Sequence, residues 1–400
     1  MKDTPSGTCN SFVTRIDVSE PGVAIKTLVS DRVNFAQTVL SFARENKTYS
    51  AMNASFYRWQ GTGCDTYGPV VKMGELYSCS ADFNAGGDFS ASIYQVKGEV
   101  PQISYLYPHL SIVREDGETV DITSFNTNYA GQTTLSIQNK LFSNHSVGSK
   151  DYHDVSELVV KNGRMTDLRH GKPSITIPDH GFVVVSRGAG AALLKSIYKK
   201  GVGLKFDALA NTSLNSQIKF SDMSFCVPGG AALLKDGSIP NTFSHIPGGT
   251  NPSDLHPRAA AGISKDGKQV FFIVADGRQP PSSVGLSMDA LAQELKDLGA
   301  WSAVNFDGGA SATMVTKSDG GLEIKNTPYR GSLRNVSCAI GVTYDTPQVP
   351  VARETPAKAA VQGKEGFWLD QDKILLISIL IIIIILILLY KWRKDKRIKL

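Results

Sequence analysis

Between residues 23 and 345 the chain keeps breaking into short apolar runs, each closed by Gly, Asn or Asp. Runs at 93–96, 102–106, 158–160, 181–186 and 270–275 are rich in β-branched and aromatic residues, a pattern that fits a pleated strand better than a helix. Helical spacing is clear in three places, 32–45, 189–200 and 287–299. In the last, Ser287 is a natural N-cap, Leu291, Leu295 and Leu298 form one apolar stripe, and Gly299 ends it. With the strands at 270–275 and 303–306 it makes one β-α-β step. The expectation is an α+β fold: strand-rich mixed sheets with helices packed outside, plus one C-terminal transmembrane helix.

That last element rests on residues 374–390, which are 17 uncharged and almost wholly apolar positions between Lys373 and Lys391. At ~1.5 Å per residue they give roughly 25 Å of helix, enough for a bilayer if the flanking lysines snorkel. Trp368 and Trp392 fall where interfacial aromatics belong. Residues 346–366, rich in Pro, Ala, Lys and Gln, read as a flexible stalk, 367–392 as the anchor and 393–400 as a basic tail; residues 1–22 read as an irregular lead-in.

The formal net charge of +5 belongs to that tail. From Lys391 to Leu400 six basic residues face one acidic, and the other 390 residues carry 36 of each sign, so nucleic-acid binding is not expected. Basic residues after the span predict a cytoplasmic tail and an extracytoplasmic domain, although residues 1–5 begin no apolar signal segment. Sequons at Asn46, Asn53, Asn144, Asn211 and Asn335 lean the same way. Five cysteines include no Cys-x-x-Cys pair, so no zinc site or other cofactor is expected; Cys64 and Cys79 are near enough in sequence to be bridged in an oxidising compartment.

The chemistry concentrates in 304–314. An apolar strand runs into Asp307, and Gly308, Gly309, Ala310 and Ser311 follow at once. Glycines allow a close backbone approach to a ligand, and a carboxylate at such a turn suits chemistry beside a sugar or phosphate. Asp276-Gly277-Arg278 repeats the arrangement after another strand, now with a cation whose planar fork matches phosphate. If the two strands are neighbours, Asp276 and Asp307 emerge at one sheet edge. His256-Pro257-Arg258 adds an imidazole and a second cation on a turn stiffened by proline, and Gly229-Gly230 is a further close-approach turn.

The order of these pieces resembles the phosphodiester glycosidase family. The resemblance is carried by Asn53 to Phe56, Gly68 to Val71 with Gly74, Gly229-Gly230 with Leu233 and Asp236-Gly237, His256-Pro257-Arg258, Asp276 to Gln279, Asn305 to Met314, and Arg334-Asn335-Val336. It spans about residues 20–345. Ala310 stands where the family has a third glycine, Ser55 where it often has Gly, and Pro228 precedes only two glycines.

The resemblance implies hydrolysis of the sugar C1–O bond of a sugar-1-phosphodiester of the N-acetylglucosamine-1-phosphate type. Asp307 is the first choice for the carboxylate at the anomeric carbon and Asp276 the second, while His256 would bind phosphate or shuttle a proton. Arg278 and Arg258 would hold phosphate, Gly308, Gly309, Gly229 and Gly230 would supply backbone donors, and Asn53 and Asn305 would position sugar hydroxyls. Two other readings stand beside it. One is a metal-dependent phosphodiesterase with Asp276, Asp307 and His256 as ligands; the other is a glycan-binding membrane protein without catalysis.

Overall fold

The computed structural model describes residues 2–4, 7–60, 63–80, 91–128, 134–214, 216–243 and 251–344. The proposed stalk, anchor and tail lie outside the described residues. Among the described residues no helix is long and apolar enough to cross a membrane.

Strands dominate, as their β-branched runs dictate. Two five-stranded sheets face each other across one apolar core. The first runs Ala232–Leu234, Ser302–Phe306, Arg258–Ile263, Gln269–Ala275 and Ser11–Asp17; the second runs Gly321–Ile324, Met314–Ser318, Ser50–Asn53, Ala339–Tyr344 and Val23–Leu28. Alternation along the strands builds the interface: Ala259, Ala261, Val304, Phe306 and Phe272 from the first sheet meet Met52, Met314, Ile340 and Ile25 from the second. A third, mostly antiparallel sheet of 13 strands among the described residues carries a separate core around Ile137, Leu158, Val184 and Phe220.

The lead-in is not irregular throughout. Ser11–Asp17 is an edge strand paired along its length with Gln269–Ala275, and Ile16 is buried in the shared core. The helices match the sequence pattern with one trim. Met288–Asp297 starts where the Ser287 hydroxyl accepts the Ala290 N–H. Its Leu291 and Leu295 pack with Ala260 and Ala303, the opposite face of the first sheet. Gly188–Ile197 forms as expected. The 32–45 helix shortens to Val39–Glu45, because Thr38 caps it and the preceding backbone turns away, exchanging Gln37 hydrogen bonds with Val336.

Gln269–Ala275 and Ser302–Phe306 are not direct neighbours. Both pair antiparallel with Arg258–Ile263, which lies between them, in the register Arg258↔Ala275 and Ala259↔Phe306. Two strands antiparallel to a common third run the same way, so Asp276 and Asp307 do leave at one edge, where Arg258 enters.

All five cysteines are free and buried, so Cys64 and Cys79 form no bridge. Asn53 is fully buried, which removes it as a glycan acceptor in the folded chain. Leu295, fully buried between helix and sheet, gives a direct check of this packing. Leu295→Ala is expected to lower unfolding free energy by about 3 kcal/mol in urea titration, through lost burial and the cavity left behind.

Candidate active site

A cleft of about 240 Å³ opens at that shared sheet edge, lined by Phe56, His256, Pro257, Arg258, Arg278, Asn305, Asp307, Gly308, Gly309, Ala310 and Arg334 among others. Asp307 follows the Ser302–Phe306 strand directly and precedes the short turn Gly309–Ser311. Among the described residues it is the one carboxylate lining the cleft. Burial of its carboxyl group lifts the pKa from 3.8 to about 6, against the opposing pull of the Ser311 hydroxyl, the Arg334 guanidinium and the Gly308 N–H.

Asn53 fixes the two ends of this turn. Its Nδ2 donates to the Asp307 carbonyl at 2.6 Å and its Oδ1 accepts from the Thr313 N–H at 3.0 Å. Both ends of its amide are engaged, so it clamps the 307–313 turn. Asn305 is also buried and has no partner for its side-chain oxygen among the described residues.

The cations gather around His256. Arg278 Nε donates to His256 Nδ1 at 3.2 Å, which leaves the ring proton of the neutral imidazole on Nε2. Burial first, then the charges of Arg278 and Arg258, hold the His256 pKa below its ordinary value. The neutral imidazole presents its Nε2 proton as a donor. Arg258 is 5% exposed and donates from Nε to the Leu286 carbonyl and from Nη2 to the Asp254 carbonyl. Burial, with Arg278 nearby, brings its pKa down to about 10. Arg278 itself has φ +57, a left-handed backbone that costs a non-glycine residue free energy and that recurs at functional sites.

Asp276 does not join them. It is 2% exposed, and its carboxylate accepts from Asn326 Nδ2 at 3.1 Å and from the Thr327 N–H at 2.9 Å. The sequence reading of a second catalytic carboxylate is corrected here: Asp276 ties down the 326–327 segment. The same placement weakens the metal reading. Among the described residues no group of three His, Cys, Asp or Glu side chains is arranged to hold a metal ion.

The glycines act mainly by close packing. The N–H groups of Gly229, Gly230 and Gly309 are bonded to the carbonyls of Ala91, Asn305 and Pro257, so they are not free donors as expected; only the Gly308 N–H lies beside the Asp307 carboxylate. A methyl on Gly308 would come within 2.5 Å of the Pro257 carbonyl oxygen, and one on Gly229 within 2.4 Å of Val304 Cγ2. Ala310 takes its place in the cleft wall without a left-handed backbone, so it narrows the cleft without strain. Pro228 packs beside Gly68, and Ser55 is buried away from the cleft lining. Arg334 was visible only as part of the family resemblance; nothing about an isolated Arg in a loop marks it for the cleft.

The profile of the phosphodiester glycosidase family matches residues 155–343, a span that holds Asp307, His256 and the three arginines. The family resemblance is thereby shown. Comparison with curated proteins gives no match. Among solved structures, a hypothetical protein from Synechocystis superposes with TM-score 0.68 at 19% identity, over 86% of this chain and 60% of that one. This chain therefore spans 60% of that protein's length. A Burkholderia pseudomallei K96243 protein described as exported gives TM-score 0.69 at 20% identity, over 83% of this chain and 73% of that one. These two likenesses show the fold alone. The zebrafish N-acetylglucosamine-1-phosphodiester alpha-N-acetylglucosaminidase catalytic domain, auto-inhibited by its pro-peptide, is also similar, at 16% identity over 86% of both chains with TM-score 0.39. That superposition is too loose to argue from. Phe56 and Asn53 lie outside the stretch that matches the phosphodiester glycosidase profile.

Because Asp276 holds the 326–327 segment, Asp276→Ala is expected to cost about 2–3 kcal/mol by leaving buried donors unpaired. Thermal unfolding checks this. An unchanged midpoint together with lost turnover would instead return Asp276 to the chemistry.

Proposed function

We propose that the domain hydrolyses the C1–O bond of a sugar-1-phosphodiester, with Asp307 acting at the anomeric carbon. The observation that carries the reading is the pairing of one cleft carboxylate with three lining guanidiniums, Arg258, Arg278 and Arg334. The family match supports a hydrolase acting on phosphodiester glycosides. In the reaction the C1–O electron pair leaves with the phosphate oxygen, and water supplies the new oxygen at C1. A phosphomonoester leaving group has a second pKa near ~6, so it departs without a strong general acid. One carboxylate then suffices to stabilise or attack the anomeric carbon, while Arg258, Arg278 and the His256 Nε2 proton take up charge on the phosphate. Residues 374–390 would tether the domain to a bilayer, with the basic tail cytoplasmic.

Hydrolysis in ¹⁸O water, with and without EDTA, tests the bond that breaks. Label in the free sugar, unaffected by chelator, is expected. Label in phosphate that disappears with EDTA would make the protein a metallophosphodiesterase, and binding without product would leave a glycan-binding protein.

The raised pKa of Asp307 fixes the sign of two further effects. Its ionised form is the working one, so kcat/KM is expected to rise with pH through an apparent pKa near 6. For stability the sense is opposite. The unfolded carboxyl loses its proton near 3.8 and the folded one near 6, so stability falls across that window and stays lower above it. Asp307→Asn is thus expected to abolish turnover and to stabilise the fold at pH 7.5, by on the order of 1 kcal/mol once water in the open cleft is allowed for, with no gain at pH 4. Thermal melts at both pH values decide it. Arg278→Ala is expected to weaken phosphate-bearing substrates at least tenfold more than plain glycosides; equal losses on both would remove Arg278 from phosphate binding.

A further inference from the structure

The strands that meet at the cleft also have far ends. Ile263 closes the strand that Arg258 opens, and Ser302 opens the strand that Phe306 closes. At ~3.4 Å per residue, five residues carry each strand roughly 17 Å from the catalytic edge. There a slot of about 400 Å³ opens, lined by Ala232, Leu234, Ile263 and Ser302 of the first sheet and by Ile103 and Tyr105 of the third. Among the described residues it shares no lining with the cleft. Its volume lies within the ~300–1,000 Å³ of sites that hold small molecules.

The slot is apolar and its polar neighbours are already engaged. Val100 and Leu214 belong to the lining and are 43% and 59% exposed, an unusual amount of open apolar surface for one place. Tyr94 Oη donates to Gln102 Oε1 at 3.1 Å, and Gln102 Nε2 donates to Glu99. The Ser213 hydroxyl accepts from the Tyr105 N–H, and the Ser264 hydroxyl donates to Asp266 and accepts from the Gln269 N–H. Among the described residues no buried side-chain N or O atom of the lining lacks a partner, whereas the cleft has one in Asn305. A polar group entering the slot would lose water and gain nothing, while a hydrocarbon loses no hydrogen bond. Trp301 is not an open stacking platform. The Lys265 ammonium lies over its ring at 4.6 Å, and Gly237 packs so close that a methyl there would come within 2.6 Å of Trp301 Cζ3. The interior therefore suits an aliphatic chain better than a sugar or a base.

Charge is confined to two turns at the rim, Lys235 with Asp236 and Lys265 with Asp266. Asp266 already accepts from the Ser264 hydroxyl and the Lys268 N–H. Among the described residues neither ammonium pairs with a carboxylate, and both lysines are exposed. An anion completes two free cations here, whereas a cation would compete for a carboxylate that neighbours already hold.

We propose that this slot binds a single acyl chain with an anionic head group, the chain lying between the two sheets and the head at Lys235 and Lys265. The site is separate from the chemistry at Asp307 and does not depend on it.

The test is photolabelling of the full chain in phosphatidylcholine nanodiscs, using dodecanoate with a terminal diazirine and mapping labelled peptides by mass spectrometry. Saturable labelling is expected in peptides that contain Val100 to Tyr105, Leu214 or Trp301, suppressed by excess dodecanoate and not by dodecyltrimethylammonium. The double variant Lys235→Glu, Lys265→Glu changes only exposed side chains and is expected to lower the labelling about tenfold. Ile103→Trp is expected to abolish it by filling the slot, and thermal melts check that both variants fold. Should Ile103→Trp not fold, the lysine variant decides. Labelling spread along the chain without saturation, equal suppression by both competitors, or full labelling of the lysine variant would overturn the proposal.

Discussion

The antiparallel pairing of Arg258–Ile263 with strands on both sides is the constraint from which the cleft follows. A strand flanked by two antiparallel neighbours begins where both of them end. Its first residue, Arg258, therefore sits beside the residues that follow each neighbour, Asp276 and Asp307. The register cannot slip by one residue without exchanging the faces of Ala259 and Ala260, which serve two different cores. The chemistry at the edge is thus pinned by alanines in the sheet, which are small enough to let a helix and a second sheet close on its two faces.

Electrostatics at this edge are deliberately unbalanced. Arg258 is buried with its donors on carbonyl oxygens, and the nearby Asp254 carboxylate offsets less than burial and Arg278 impose. Arg278 adds a second cation from a left-handed backbone, and His256 remains neutral between them. Among the described residues the one carboxylate in the lining, Asp307, is itself pushed toward protonation by burial. The crowded cations lower the stability of the empty domain and would be relieved by a bound anion, whereas the buried Asp307 carboxylate would not. The site is held in shape by Asn53 across the 307–313 turn and by Asp276 on the 326–327 segment.

Much of this was legible in sequence because periodicity and capping are local. Ser287, the leucine stripe and Gly299 define a helix without reference to anything else. The strand-to-Asp-Gly-Gly step at 306–309 and the cations at 256–258 and 278 also announce themselves through residue type. What was not legible depends on partners distant in sequence. Asp276 and Asp307 look alike in their local contexts, yet one is hydrogen-bonded by Asn326 and Thr327 and the other lines the cleft. Asn53 reads as a surface sequon and is a buried clamp. Gly229 and Gly230 read as donors, but their N–H groups are taken by strands that only the folded sheet brings near. Ser11–Asp17 has too weak an alternation to stand alone and becomes a strand because Gln269–Ala275 presents an open edge to it.

The five buried, unbridged cysteines carry a consequence for thiol chemistry. Burial drives the thiols of Cys64 and Cys338 to about 12, and those of Cys79 and Cys226 upward as well, so almost no thiolate exists at neutral pH. Oxidants, alkylating reagents and mixed disulfides all require that thiolate and access to it. The fold consequently holds together without a disulfide among its described residues and shields its thiols from these reagents.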